Sequence, residues 1–382
     1  MTASQSTWLP RHRTGGRPRL TPQPPGPLGL VLGVLVTAGL LVGTSLGSQG
    51  AVAVVAAEPT QAAPMAAPMT APMAGPVRSP VAAQPTPPAA ADDLDGAAAS
   101  QEQVVAALRS SLAAADAGLS VPRRTRPGVD RLRRSLWQGP LSCGATAGQV
   151  RHDVCVFGDP SGATTVVALG SSHMTMWMSG LDDAAAARDA RMLGLIKFGC
   201  VPYDVRVLRD GEEWTTCARF REWAISRVAE IRPDLVIVGA HTDVTVVDDD
   251  GAVLRGGARA AELAAGAGRL AARLTEAAGR VVVLGDVTVR PRNPQGCLRR
   301  TGRSFARCET TMTARHRALA DATAASVSAV GAEFVDASEL TCVDGRCPVA
   351  GAGRFLYRDV SHVSRVWSEY VGGVLASKVG IR

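Results

Sequence analysis

The sequence predicts a three-layer α/β/α domain on a mostly parallel sheet, and three observations carry that expectation. From about residue 164, short β-branched runs alternate with helix-length segments. The runs are apolar throughout, without period-two alternation, as in strands covered on both faces. Polar residues follow the first of them, where a parallel sheet gathers its ligand-binding loops.

Ahead of that domain the chain changes character. Residues 1–27 form a basic tail with Arg11, Arg13, Arg17 and Arg19 and no acidic residue. Residues 28–57 carry no charge, and "LGLVLGVLVTAGLLVGTSL" supplies 19 apolar-rich residues. At 1.5 Å per residue such a helix spans a hydrocarbon layer of about 30 Å. The basic flank stays cytoplasmic, so the chain beyond faces outward. The alternative is a cleaved leader, because "VAVVAAEP" sets Val55 and Ala57 in a small-x-small pattern. Both alternatives export the domain: one gives a single-pass cell-membrane protein with an extracytoplasmic C-terminal domain, the other a secreted protein. Residues 58–100 repeat "APM" from Ala63, Ala67 and Ala71 and have too few core-forming side chains to fold, which predicts a semi-extended spacer. Residues 101–382 remain for one core of ordinary size.

Within that span, "QEQVVAALRSSLAAADAG" places Val104, Val105, Leu108 and Leu112 at helical intervals, and a basic, proline-broken connector "VPRRTRPGVDRLRRSLW" follows. The expected strands are "TTVVAL" before Gly170, "LGLIKF" before Gly199, "DLVIVG" after Pro233, "RVVVLGD" ending at Asp286 and "AEFVDA" around Val335. The expected helices between them are "MTMWMSGLDDAAAARDARM", "EEWTTCARFREWAISRVAEI", "ARAAELAAGAGRLAARLTEAAG" and "TTMTARHRALADATAASVSAVG".

All 8 cysteines lie between Cys143 and Cys347, and none are spaced as a zinc-binding C-x-x-C. Disulfides between sequence neighbours are the expectation: Cys143 with Cys155, Cys200 with Cys217, Cys297 with Cys308, and Cys342 with Cys347. The net charge of +7 comes from scattered arginines, without a basic stripe interleaved with aromatics, so no nucleic-acid partner is expected.

The chemistry concentrates in "VVALGSSHMTMW". Ser172 follows a strand and opens a helix, where backbone N–H groups and the helix dipole aim at a bound group. A serine nucleophile needs a base within hydrogen-bond reach, oriented by a third group. Of the 6 histidines, His12 lies in the basic tail, His152 precedes the sheet, and His316 reads as a mid-helix residue on a solvated face. His362 differs, because Asp359 stands three residues before it in "YRDVSHVS", ahead of a terminal amphipathic helix. Alone, D-x-x-H reads as well as an Asp cap beside a surface histidine.

Taken together, "ALGSSHMTMW" resembles the "GDSH" nucleophile block of SGNH hydrolases, in the form found in periplasmic domains attached to acyltransferase-three membrane proteins. "YRDVSHVS" resembles that family's closing D-x-x-H block, and the cysteines near "FGCVPY", "PQGCLRR" and "ELTCVDGRCP" fall where those domains place theirs. The resemblance covers about residues 120–382. It implies a flavodoxin-like SGNH sheet, with Ser172 as nucleophile, His362 as general base and Asp359 as its orienting partner. Two positions depart from the pattern. Ser171 replaces the aspartate that buttresses the turn. His241, in "VGAHTD", stands where an oxyanion-hole asparagine is usual; it either donates a hydrogen bond in its place or is a polar loop residue. Gly199 is the expected glycine N–H of that hole.

The resemblance implies an exported serine enzyme that transfers or removes O-acetyl groups on a cell-envelope polysaccharide or glycolipid through an acyl-serine. The alternative is a catalytically inactive SGNH-fold protein that binds glycan or acts as a scaffold. A transferase with one N-terminal membrane helix would draw on a separate membrane acyl-donor protein. No cofactor or metal is expected, although the acidic run Asp248–Asp250 with Asp243 reads either as a solvated loop or as an extracellular calcium cluster. His173 is expected to help fix the turn and Trp177 to lie in the core. Asp286 or Arg290 is placed to touch substrate, with helix or turn capping as the alternative for Asp286.

Overall fold

The computed structural model describes residues 99–382. The basic tail, the expected membrane segment and the spacer up to residue 98 lie outside the described residues. Among the described residues no helix is long and apolar enough to cross a membrane.

Helix α1, Gln101–Asp116, opens the domain behind a reciprocal Ser100/Gln103 capping box and buries Val104, Leu108 and Leu112. The connector follows with two short 3-10 turns, Val129–Arg134 and Leu141–Cys143. The main elements are then β1 Cys155–Gly158, β2 Thr164–Gly170, α2 Ser172–Ala186, β3 Ala190–Ile196, β4 Arg206–Arg209, β5 Glu212–Glu213, α3 Thr215–Ile231, β6 Leu235–Gly239, β7 Thr245–Val247, α4 Gly256–Thr275 and β8 Arg280–Leu284. They continue with α5 Pro294–Arg300, β9 Thr310–Thr311, α6 Ala314–Ser328, β10 Glu333–Val335, β11 Arg346–Cys347, β12 Ala350–Gly351, β13 Arg354–Phe355 and α7 Arg365–Val379.

Six strands form the central sheet in the order β1-β3-β2-β6-β8-β10. Every pairing is parallel except that of β1 with β3. The chain moves from β2 out to β3 and then returns to lay β6 on the opposite side of β2. This reversal puts the topological switch point at the carboxyl end of β2, where an open α/β sheet forms its crevice. Ser171 and Ser172 follow Gly170 at that end.

The two-sided burial predicted from the apolar runs is present. Val166 and Ala168 of β2 pack with Met174, Trp177 and Leu181 of α2 and with Trp367, Val371 and Leu375 of α7. Val167 and Leu169 face the other way, toward Phe220 and Val228 of α3 and Leu263, Leu270 and Leu274 of α4. Each buried valine, leucine, methionine or phenylalanine among them contributes about 1.5–3 kcal/mol relative to exposure. All four neighbour disulfides are formed: Cys143–Cys155, Cys200–Cys217, Cys297–Cys308 and Cys342–Cys347.

Three differences from the sequence expectation have local causes. The helix after Ser172 stops at Ala186, because Asp189 takes a left-handed conformation (φ 52°) and β3 pairs with β2 from Ala190. That strand ends at Ile196, earlier than "LGLIKF" implies, since the chain bends where the Lys197 N–H reaches the Gly170 carbonyl at 2.9 Å. The antiparallel edge strand β1 is too short to leave an apolar run, with only Phe157 buried among its four residues.

Candidate active site

Two strand ends and one loop build the site. Ser171 caps α2: its Oγ accepts the His173 N–H at 3.1 Å and also the His241 N–H at 2.9 Å. One buried hydroxyl thereby ties the start of α2 to the loop after β6. Ser172 is the first residue of α2, and its own N–H has no hydrogen-bond partner among the described residues.

The loop before α7 brings His362. His362 Nε2 lies 2.9 Å from Ser172 Oγ. On its other side Nδ1 lies 2.9 and 3.0 Å from the two Asp359 oxygens. Asp359 Oδ1 also accepts the N–H groups of Ser361 at 3.0 Å and His362 at 2.8 Å, so it closes the turn as well as orienting the ring. Arg358 adds an ion pair at 3.2 Å to Oδ2. Burial works to raise the Asp359 pKa, but the His362 hydrogen bond and the nearby charges of His362 and Arg358 hold it well below the ordinary carboxylate range. Burial lowers the pKa of His362 despite the opposing Asp359 hydrogen bond, which keeps the ring neutral and basic at neutral pH.

Behind Ser172, His362 and Asp359 lies a second histidine–aspartate pair. His173 Nδ1 and Asp286 Oδ1 are 2.6 Å apart, and Asp286 Oδ2 accepts from the N–H and the hydroxyl of Thr242, each at 3.0 Å. Burial opposes ionisation of Asp286, but His173 and the Thr242 N–H bring its pKa down to about 2. The carboxylate is the acceptor, so Nδ1 carries the proton. The His173 ring stands against those of His241, at 4.4 Å between centroids, and His362, at 4.7 Å. His173 is structural as expected, though it anchors α2 to the end of β8 rather than bonding within the turn.

His241 is half-buried, and its ring makes no hydrogen bond among the described residues. Burial, followed by the neighbouring His173, pushes its pKa down to about 4, leaving a neutral ring with one N–H to donate. Gly199 takes φ +76° in the turn from Lys197 to Cys200, closed by the Cys200 N–H to the Lys197 carbonyl at 3.2 Å. A Cβ there would lie an ordinary 3.7 Å from Trp214, so backbone conformation rather than space calls for glycine. Buried Lys197 secures this turn by donating to the carbonyls of Thr146, Ala147 and Gln149. Burial lowers its pKa to about 8, which leaves it protonated at neutral pH.

The structure therefore brings Ser172, His362 and Asp359 together, with His241 one ring away from His362. It corrects two other expectations and agrees with the solvated-loop reading of the run at Asp248. Asp286 and Arg290 are not available to substrate: Asp286 is buried as described, and Arg290 is 4% exposed, stacks on Tyr357 and donates to the Cys347 and Pro348 carbonyls. His316 is not on a solvated mid-helix face. It stands in the first turn of α6, and its shielded Nε2 has no partner among the described residues. It lines a cavity of about 20 Å³ with Tyr203, Thr242 and Asp286, room for one water. The run at Asp248 is a turn, with Oδ1 accepting from the Asp250 and Ala252 N–H groups. Among the described residues no group of acidic, cysteine and histidine side chains is arranged to hold a metal. Sequence reasoning missed Arg358. Its only signal was its place beside the aspartate in "YRDVSH".

No curated protein matches the chain. Among solved structures it is similar to the periplasmic domain of a Salmonella ser. Paratyphi A lipopolysaccharide acetyltransferase, with 15% identity over 58% of this chain and 83% of that one and a TM-score of 0.44. It is also similar to Est24, a carbohydrate acetylesterase from Sinorhizobium meliloti, with 16% identity, 56% and 98% coverage and a TM-score of 0.36. An aryl esterase from M. Smegmatis gives 16% identity, 57% and 98% coverage and a TM-score of 0.35. The family model described as the SGNH domain (fused to AT3 domains) matches residues 142–377, and the chain belongs to that family.

Proposed function

We propose that the domain is a serine acyl-ester enzyme that transfers or removes O-acetyl groups on a cell-envelope polysaccharide or glycolipid. The observation that carries this reading is the continuous relay from Ser172 Oγ through His362 to Asp359, with each step within 2.9–3.0 Å. His362 takes the Ser172 proton as Oγ attacks the acyl carbonyl. The oxyanion meets the Ser172 N–H, the Gly199 N–H and the His241 imidazole. His362 then returns the proton to the departing alkoxide, leaving an acyl-serine and the freed hydroxyl. Water resolves this intermediate in an esterase; a sugar hydroxyl does so in a transferase, with a separate membrane protein supplying the acyl donor. The four disulfides favour an oxidising, extracytoplasmic setting. Anchoring by the 28–57 segment is part of the same proposal.

The test is aryl-acetate hydrolysis by the full-length protein beside Ser172→Ala and His362→Ala, with labelling by a serine-directed fluorophosphonate. Wild type is expected to turn over and label at Ser172, and both variants to lose about three orders of magnitude in rate while keeping their fold. Equal inertness of all three proteins, without labelling, would instead favour a glycan-binding role.

A further inference from the structure

The connector ahead of the sheet is fastened to the chain that carries the catalytic loop. The Arg126 N–H reaches the Gly353 carbonyl at 2.8 Å, and the Phe355 N–H reaches the Arg126 carbonyl at 2.9 Å. The Arg365 N–H reaches the Ser135 carbonyl at 3.0 Å, three residues beyond His362. At the other end, Arg303 Nε donates to the Val121 carbonyl at 2.8 Å.

This docking brings three outer arginines of the connector, Arg123, Arg126 and Arg133, up to three inner ones, Arg303, Arg354 and Arg358. Arg303 also donates to the Pro122 carbonyl beside Arg123, Arg126 bridges the Arg354 backbone, and the Ser135–Arg365 bond holds the segment of Arg133 to the chain that follows the loop of Arg358. The inner three are held by the fold. Arg303 lies over Phe355, Arg354 over Tyr370, and Arg358 pairs with Asp359. The outer three, Arg123, Arg126 and Arg133, are exposed, and their guanidiniums form no ion pair or hydrogen bond among the described residues. Of the nearby acids, Asp130 pairs with Arg299, while Glu369, paired with Arg365 at 3.4 Å, also attracts Arg354 and Arg126. Burial lowers the pKa of each inner guanidinium; Tyr370 opposes this at Arg354 and Asp359 at Arg358, while the outer arginines add to it. Asp359 and Glu369 offset only part of this charge, since six guanidiniums gather beside two carboxylates, so an anion that bridges this ridge of outer arginines would relieve the rest.

We propose that the ridge is a subsite for an anionic glycan, bearing carboxylates or phosphates, which it holds beside the catalytic loop. This rests on the acyl-ester reading of Ser172 and supplies its substrate class. Guanidinium forks match both oxyanions bidentately, and the row from Arg123 to Arg133 suits a repeating polyanion better than a single charge.

The test titrates the full-length Ser172→Ala protein with de-esterified oligogalacturonate, with a glycerol-phosphate oligomer, and with a neutral malto-oligosaccharide of matched length. At least one anionic oligomer should bind, more tightly than the neutral one and less tightly as salt rises. The tighter of the two identifies the charged group. Arg126→Ser with Arg133→Ser should weaken that binding about tenfold, while the same pair of changes in the Ser172-containing enzyme leaves aryl-acetate hydrolysis unaltered. Equal affinity for neutral and anionic oligomers, no binding of either anion, or undiminished binding by the double variant would overturn the subsite. Intact, arginine-dependent binding without aryl-acetate turnover would strike the acyl-ester reading and leave the subsite standing.

Discussion

Ser171 shows how a neutral side chain can do positional work that the resemblance assigns to an aspartate. Its hydroxyl accepts from two N–H groups on different elements, and both bonds would suit a carboxylate equally well. Ser171→Ala should therefore lose the N-cap, costing about 1 kcal/mol in stability, and should also release the loop carrying His241. The activity loss is expected to exceed what that stability change explains, with Ser171→Asp restoring most of the rate. Aryl-acetate kinetics and urea midpoints measured on the same preparations check this. If Ser171→Ala is as active as wild type, the residue is a cap and nothing more.

At the scale of elements, the placement of His362 against Ser172 depends on how closely α7 lies on α2. Both helices have a glycine at the contact: a Cβ on Gly180 would come within 2.0 Å of the Ser368 carbonyl oxygen, and one on Gly372 within 2.3 Å of the Gly180 carbonyl oxygen. Gly180→Val is thus expected to destabilise the domain by about 3 kcal/mol through overpacking, and to lower turnover further by moving the loop before α7. A shift in the urea midpoint, together with weaker fluorophosphonate labelling in the still-folded fraction, is the readout; an unchanged midpoint would mean that the helices separate at no cost. None of this close contact was legible in the sequence, because two glycines 192 positions apart carry no pairing signal. The strands in the middle of the sheet were legible, since burial on both faces writes itself as uninterrupted Val, Leu and Ile. The grouping of Ser172, His362 and Asp359 was legible only through the resemblance of "GSSH" and "YRDVSH" to two family blocks, because a D-x-x-H by itself reads equally well as a capped turn. The His173–Asp286 pair was not, since it joins two strand ends whose adjacency depends on sheet order.

Across the whole molecule, the same burial that keeps the His241 and His362 imidazoles neutral makes stability depend on pH. An unfolded histidine takes up its proton near 6.5, whereas His241 in the fold does so only near about 4, and burial also lowers His152 and His362. Between those values the unfolded chain binds more protons, so this contribution is complete above 6.5 and disappears as pH falls toward about 4. For His241 alone it is on the order of 3 kcal/mol. Asp183 and Glu369, whose pKa values burial raises, pull in the opposite direction as they protonate. The difference between two proteins, rather than one curve, therefore isolates the imidazole. His241→Asn cannot titrate, and its urea midpoint is expected to fall less than that of wild type between pH 7 and pH 4.5, with the disulfides kept oxidised. Parallel curves would show that water reaches the ring freely, which would also remove the physical basis for His241 as a neutral donor at the oxyanion.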